Sequence, residues 1–315
     1  MENIKNVHKE KFKVLILLAY FNGGRYFEEQ IKSILCQKDV QVDVLISDDC
    51  SDDFSKNVLH EYHNRENIKI FSAKRPSGSA GQNFMRLIRD SNYKDYDFVA
   101  FSDQDDIWSH YKIINAIKLI SAKNADAYSC SVTAFWKDGS KKLITQSPKI
   151  SQIDFLLEGA GQGCTFVMKK KLFGTVQRFC NKNIKLTNDF YYHDWLVYII
   201  ARSMNFQWFF DNESNLLYRQ HGKNDTGAKA SISGIIHRIK LIENGWYKNQ
   251  IRLAIDIAEK VSLERNKQFL YFKNIFHQKN SLKRRIKLSL FFLRNSRRKI
   301  SDKIVLILSA LFDWL

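Results

Sequence analysis

Four apolar runs in the first 120 residues, each followed by a segment of helical spacing, constrain this chain more than any other feature. Phe12 to Ala19 is continuously apolar, the pattern of a strand covered on both faces. Arg25 to Gln37 follows with Phe27, Ile31, Ile34 and Leu35 at helical intervals. Val42 to Ser47 is a second strand, Phe54 to His63 a helix, and Ile68 to Ser72 a third strand. Gln82 to Ser91 places Phe84, Leu87 and Ile88 on one helical face. Phe98 to Ser102 and Tyr111 to Ala122 complete the series. Strands alternating with helices imply an α/β chain with a mostly parallel central sheet and helices on both faces. Ligands of such sheets bind at the carboxyl ends of the strands.

Three of those ends are chemically loaded: Tyr20-Phe21-Asn22-Gly23-Gly24, Asp48-Asp49-Cys50-Ser51-Asp52 and Asp103-Gln104-Asp105-Asp106. Three carboxylates within four residues repel one another unless a positive charge lies between them. At the end of a buried strand Asp103 and Asp105 point the same way, since side chains alternate. That spacing suits a hard divalent cation, since one Asp is enough to cap a helix. Asp48, Asp49, Asp52 and Asp53 serve equally as a turn with a helix cap or as acceptors for base N–H and ribose hydroxyl groups. Ser77-Gly78-Ser79-Ala80-Gly81-Gln82-Asn83 precedes a helix and permits close backbone approach by an anion. It is neither a Walker loop nor a dinucleotide fingerprint.

Beyond about Asp126 the pattern is less regular. Ala127 to Trp136 with Lys142 to Thr145 reads as a hairpin, and Cys164 to Met168 as a strand after the glycine-rich segment 159–163. His193 to Met204 reads as a buried helix, Phe206 to Phe210 and Asn215 to Tyr218 as two short strands, and the chain from about Ile232 as helices. Asp194, at the start of its helix, is either a capping carboxylate or a general base. Arg219 suits a phosphate, and His221 a metal or a phosphate.

The charge is uneven. Of a net +17, residues 229–315 hold 19 Lys/Arg against 6 Asp/Glu. Lys283, Arg284, Arg285, Lys287, Arg294, Arg297, Arg298 and Lys299 surround the apolar run Leu288 to Leu293. Ile300, Ile304, Ile307, Leu308, Leu311 and Leu315 fall on one helical stripe near Trp314. This combination points to an anionic membrane surface. With no helix-turn-helix, RNP motif or zinc finger, nucleic acid is not an expected partner. No apolar run approaches the ~18 residues of a membrane span, and Met1 to Lys13 lacks the apolar core of a secretory signal. The five cysteines are scattered without a CxxC pair, which fits a reduced cytosolic chain.

In chain order, Ala19-Tyr20-Phe21-Asn22-Gly23, Ile46 to Asp52, Ser102 to Trp108, Gly163-Cys164-Thr165, His193-Asp194-Trp195 and Tyr218-Arg219-Gln220-His221-Gly222 form a recognisable set. Over roughly Lys13 to Ala228 the chain resembles the family 2 glycosyltransferases of GT-A fold, most closely their bacterial rhamnosyltransferase-like branch. The resemblance implies a catalytic domain over residues 1–230 and a helical, basic, membrane-associating region over 231–315. It implies that Tyr20 and Asp48 or Asp49 hold the base and ribose, with Asn22, Gly78, Asn83, Gln104 and Arg219 completing the donor site. Asp103 and Asp105, with His221, would bind Mg²⁺ or Mn²⁺, and Asp194 would be the catalytic base. Cys50 stands where many relatives carry Gly, and Ser109 to Tyr111 follow Trp108 where a Pro is expected.

The implied reaction is an inverting transfer of a sugar, rhamnose from dTDP-rhamnose, to a lipid-linked or growing surface polysaccharide. It would take place at the cytoplasmic face of the inner membrane. A UDP-sugar donor (galactose, glucose or N-acetylglucosamine) is the alternative within the fold. A nucleotidyltransferase would release pyrophosphate instead. An inactive basic module binding membrane or nucleic acid is the alternative of another class.

Overall fold

The computed structural model describes residues 11–146, 150–221, 242–261, 266–298 and 300–314. The initial alternation folds as the apolar runs dictate. β1 (Phe12–Tyr20), α1 (Phe27–Leu35), β2 (Val40–Asp48), α2 (Asp53–His60), β3 (Ile68–Ser72), α3 (Ala80–Asp90) and β4 (Phe98–Ser102) follow in order. β5 (Ile107–Trp108), α4 (Lys112–Ala122), β6 (Ala127–Phe135) and β7 (Lys141–Ile144) come next. The chain continues through β8 (Val167–Lys169), α5 (Lys170–Lys182), α6 (Ile184–Asp189), α7 (His193–Ser203) and β9 (Trp208–Arg219). Four helices close it: α8 (Trp246–Lys260), α9 (Lys267–His277), α10 (Leu282–Asn295) and α11 (Ile300–Leu311).

One sheet runs β3-β2-β1-β4-β8-β6-β9-β5, with β7 paired to β6. β1 to β4 are mutually parallel, and the register sets Tyr20 beside Asp48 and Asp48 beside Ser72. The carboxyl ends of β1, β2 and β3 are therefore level, and β4 stops two residues short, with Ser102 beside Leu18. The order reverses between β1 and β4, which opens a crevice where the Tyr20–Gly24 and Asp103–Asp106 loops emerge. β8 is antiparallel to both β4 and β6, so the second half of the sheet is mixed.

Two expected elements differ. The segment after Gln162 opens as a 3₁₀ turn, Gly163–Thr165, because the Thr165 amide and hydroxyl both donate to the Gln162 carbonyl. The strand starts only at Val167. The two short strands expected near residues 206–218 are one strand, β9, whose pairing with β6 shifts register near Asp211 to Ser214. There the Asp211 carboxylate accepts from the Glu213 amide, a local bond that disturbs the ladder.

One apolar cluster covers the α1, α2 and α4 face of the sheet. The other joins α3, α5 and α7 to Ile251, Ala254, Phe272, Phe292 and Leu306 of the closing helices. The boundary expected near residue 230 lies in 222–241, outside the described residues. Past it, the helices share the core of the α3, α5 and α7 face of the sheet.

The basic block is divided. Arg284, Arg297 and Arg298 turn inward rather than toward solvent. Arg284 pairs with Asp313 and donates to the Phe276 carbonyl. Lys283 and Arg294 remain exposed. Lys299 and Leu315 lie outside the described residues. α11 buries Leu306, Ser309 and Ala310 and exposes Ile300, Ile304, Leu308 and Leu311. α10 likewise exposes Leu282, Ile286, Leu290 and Leu293. Among the described residues no helix is long and apolar enough to cross a membrane.

Candidate active site

The β1 and β2 loops brace each other. Asn22 adopts a left-handed φ of 50°, its side-chain oxygen accepts from the Asp52 amide, and its own amide donates to the Ser51 hydroxyl. Asp52 also caps α2 by accepting from the Ser55 amide, the structural role open to it from sequence. Gln104 bridges from the β4 loop, accepting from the Phe21 amide and donating to the Phe21 carbonyl. Asn83, buried on α3, donates to the Tyr20 and Ser47 carbonyls. Asn22, Gln104 and Asn83 thus use these groups to fix the crevice wall. Gly78 stands in an open turn at φ 90°.

Tyr20 departs from the expected donor-facing position. Its ring is fully buried against Phe27, and its hydroxyl donates to the Ser55 carbonyl. The side chain therefore belongs to the core. Phe21 and Phe54 are the exposed aromatic rings of these loops. β1 ends at Tyr20, so Phe21 is the first residue past the sheet and turns to solvent.

The paired aspartates differ in environment. Asp49 is saturated by the Ser77 amide, the Ser77 hydroxyl and the Arg86 guanidinium, the last at 2.9 Å. Asp48 is fully buried; Oδ1 accepts from the Ser51 amide, and Oδ2 has no partner. Asp48 is thus the one with an acceptor atom to spare.

β4 ends at Ser102, so strand alternation does not extend through the acidic loop. Asp103 and Asp105 do not simply share a side. Asp103, Asp106 and Cys164 bring ligand atoms within 4.8 Å of one another. Asp105 instead sets Oδ2 2.7 Å from His221 Nε2. His221 stacks on Tyr26, and Arg219 lies 4.7 Å above the same Tyr26 ring. Arg219 also holds the loop from beneath: its amide donates to Asp106 Oδ1, its Nε to the Asp105 carbonyl, and its Nη2 to Glu29.

Asp106, which the sequence does not single out, is the most buried of the three carboxylates. Burial, with Asp103 and Asp105 nearby, pushes its pKa up; the Cys164 thiol and the Arg219 amide oppose the rise. Oδ2 is buried without a partner. Lys112 lies behind it with Nζ 3.5 Å over the Trp108 ring, and burial pulls its pKa down to about 8. No local pattern marks Lys112; it reads as one residue of an amphipathic helix.

Asp194 sits in the first turn of α7 and is half-buried. Burial pushes its pKa up to about 6, against hydrogen bonds from the Trp195 and Gly163 amides. It is not the helix cap, a position held by Tyr192. His193 beside it stacks on Phe84 at 3.9 Å, and burial drives its pKa down to about 3. It is a neutral core residue.

Gly163 and Cys164 join the two groups. Gly163 packs against Asp194, and Cys164, next in the chain, belongs to the Asp103–Asp106 cluster. The Gly163–Cys164 turn thus touches Asp194 with one residue and the Asp103–Asp106 loop with the next.

The glycosyl transferase family 2 model matches residues 15–177. The chain is 36% identical over 299 residues to a dTDP-rhamnosyl transferase, RfbG, of Shigella flexneri, covering 94% of this chain and 99% of that protein. It is 26% identical over 158 residues to a putative teichuronic acid biosynthesis glycosyltransferase, TuaG, of Bacillus subtilis, covering 61% of that protein. The crystal structure of residues 1–349 of TarS from S. aureus, in complex with UDP-GlcNAc, superposes with a TM-score of 0.57 at 17% identity, covering 96% of this chain and 80% of that one. The architecture is the GT-A one. A family model spanning half the chain and a relative matched over nearly its whole length establish that the chain belongs to glycosyl transferase family 2.

Proposed function

We propose that this protein transfers rhamnose from dTDP-rhamnose to a hydroxyl of a lipid-linked or growing surface polysaccharide, with inversion at the anomeric carbon. The observation that carries the reading is the Gly163–Cys164 bridge. It sets a base with raised pKa, Asp194, beside the crowded Asp103–Asp106 loop. The full-length likeness to a dTDP-rhamnosyl transferase supports the choice of donor.

Asp194 takes the proton of the acceptor hydroxyl as that oxygen attacks the anomeric carbon from the face opposite the leaving diphosphate. A single displacement of this kind inverts configuration. Burial makes Asp194 a stronger base than an ordinary carboxylate, and the Trp195 and Gly163 amides hold it in one orientation. Asp48 and Asp49, at the carboxyl end of β2, mark where the base and ribose would be held. Phe21 and Phe54 offer rings against which a base can stack.

The acid loop fits a divalent cation. Asp103, Asp106 and Cys164 bring ligand atoms within 4.8 Å of one another, Asp106 Oδ2 is buried without a partner, and the His221 imidazole stands 2.7 Å from Asp105. Asp103, Asp105 and His221 would hold Mg²⁺ or Mn²⁺, ions suited to oxygen-rich ligand sets. The cation supplies electrostatic compensation for the charge that grows on the departing nucleoside diphosphate. Arg219 keeps the Asp105 carbonyl and the Asp106 carboxylate in place.

The exposed apolar stripes of α10 and α11, flanked by Lys283 and Arg294, form a face suited to an anionic lipid surface. Lipid-linked acceptors lie there, so the protein would act as a peripheral enzyme of the inner membrane's cytoplasmic face.

Calorimetric titration with dTDP- and UDP-sugars, with Mn²⁺ and with EDTA, followed by NMR of the product, tests the reading. Metal-dependent binding that favours dTDP-rhamnose, with an inverted product, is expected. Tighter binding of a UDP-sugar would replace the donor, a retained configuration would remove the displacement by Asp194, and pyrophosphate release would indicate a nucleotidyltransferase.

A further inference from the structure

The link between α10 and α11, Ser296 to Arg298, is tied into a segment of the catalytic half more than 130 residues earlier. Arg297 donates from Nε to Asp154 Oδ2 at 2.5 Å, from Nη2 to the Gly159 carbonyl at 2.5 Å, and from its amide to Glu158. Ser296 donates to the same Glu158 carboxylate. Arg298 donates to the Leu157 carbonyl and to the Tyr247 hydroxyl, which itself donates to Leu157. These bonds converge on residues 154–159.

The same segment also rests on α7, whose Tyr198 ring Arg297 overlies at 5.4 Å. Trp195 Nε1 donates to the Phe155 carbonyl at 2.7 Å, the Tyr198 hydroxyl to Asp154 at 2.6 Å, and Arg202 to Asp154 at 3.2 Å. Trp195 directly follows Asp194. A Cβ on Gly159 would meet Trp195 Cα and Cβ at 3.4 Å, and Gly163 donates its amide to Asp194. The segment 154–163 is therefore held between the α10–α11 link and the first turns of α7, and it leads straight to the carboxylate.

We propose that Arg297 is a positioning residue for Asp194, acting through residues 154–163, so that the α10–α11 pair helps shape the active site besides covering the core. This rests on the reading of Asp194 as the base. Without Arg297, Asp154 still has Arg202 and Tyr198, so its charge is not stranded. What goes is the clamp on Gly159, while the bond from the residue 297 amide to Glu158 stays. A loop freed by even ~1 Å costs on the order of 10²-fold in a reaction that needs aligned groups.

The test compares Arg297→Ala, Arg297→Lys and the milder Glu158→Gln in the full chain. Donor affinity and binding stoichiometry are measured by calorimetry, and kcat is measured across pH. For Arg297→Ala we expect kcat to fall at least tenfold with donor affinity and stoichiometry unchanged. The acid limb of kcat should also move below its position near pH 6 as water reaches Asp194. Arg297→Lys should recover part of the loss, and Glu158→Gln should lower kcat several-fold with the same signature. Stoichiometry falling in step with kcat, or kcat unchanged in the variants, would overturn the proposal. If Arg297→Ala yields no folded protein, Glu158→Gln decides alone. Full activity in Asp194→Asn would instead overturn the base assignment, whatever the Arg297 variants do.

Discussion

Gly163 lies so close to Asp194 that a Cβ placed on it would stand 3.3 Å from the Asp194 Cβ and 2.6 Å from His193 Nε2. His193 is pinned against Phe84 and has nowhere to retreat. Gly163→Ala must therefore push the 3₁₀ turn away from α7. We expect kcat to fall by roughly 10–100-fold with donor affinity little changed. Equal kcat for the two proteins would show that the base is indifferent to the turn.

Asp194→Asn should lower turnover by roughly 10²–10⁴-fold. In the unaltered protein kcat should rise through pH 6, where the base loses its proton. Stability should respond in the opposite sense. The folded-state pKa of about 6 exceeds the ordinary 3.8, so this group's stabilising contribution is full below pH 3.8 and is lost as pH rises through 6. The Asn variant should be more stable at pH 8 by on the order of 1–3 kcal/mol, with the gain vanishing near pH 4. Calorimetric melting at both pH values checks the sign.

His221→Ala should weaken metal-dependent donor binding by at least the ~10–100-fold that loss of a supporting partner costs a metal site. Binding measured in EDTA should not distinguish the two proteins. A variant with unchanged Mn²⁺ dependence would take His221 out of the metal site.

Deleting everything after Asn280 is the obvious test of membrane association, but it removes Arg284, Arg297 and Arg298 and uncovers the core they close. The surface variant Leu290→Glu/Leu308→Glu leaves those bonds intact and charges both exposed stripes. Burial of one leucine side chain contributes about 1.5–3 kcal/mol. Co-sedimentation with anionic phospholipid vesicles should fall by tenfold or more, with activity on a soluble acceptor retained. Undiminished sedimentation would remove these stripes from the interface.

Cys50 occupies a left-handed turn at φ 63°, and its thiol donates to the Ala73 carbonyl at 3.1 Å. Gly accepts that backbone freely, whereas a β-branched residue does not. Cys50→Gly should lie within about 1 kcal/mol of the parent, since relief of strain opposes a freer unfolded chain. Cys50→Val should cost more, about 2 kcal/mol. Urea midpoints in the reverse order would contradict this account of the turn.

The parallel half of the fold was legible because a strand covered on both faces cannot hide its apolar run. Phe12–Tyr20 and Phe98–Ser102 appear almost residue for residue. Asp194 and Asp105 stood out because their loops carry chemistry at strand ends and helix starts. Pairing was not legible. Nothing near Asp106 announces Cys164 or Lys112, which arrive from other elements. Nor does a charge count tell Lys283, exposed, from Arg284 one residue later, buried on Asp313. The partner that decides each case lies far away in sequence, and a local pattern cannot contain it. Tyr20 and Phe21 show the same limit at a single peptide bond, where one ring fills the core and its neighbour faces solvent.

The clamp of Arg297 on Asp154, Glu158 and Gly159 also sets an order of events during synthesis. A chain emerging from the ribosome can complete β1 to β9 while that acidic segment still lacks its far partner. The catalytic half would then be compact but unfinished until residue 298 is free to fold back. Donor turnover and the exposed apolar stripes of α10 and α11 would mature in the same step, so that little competent enzyme exists before that face is formed.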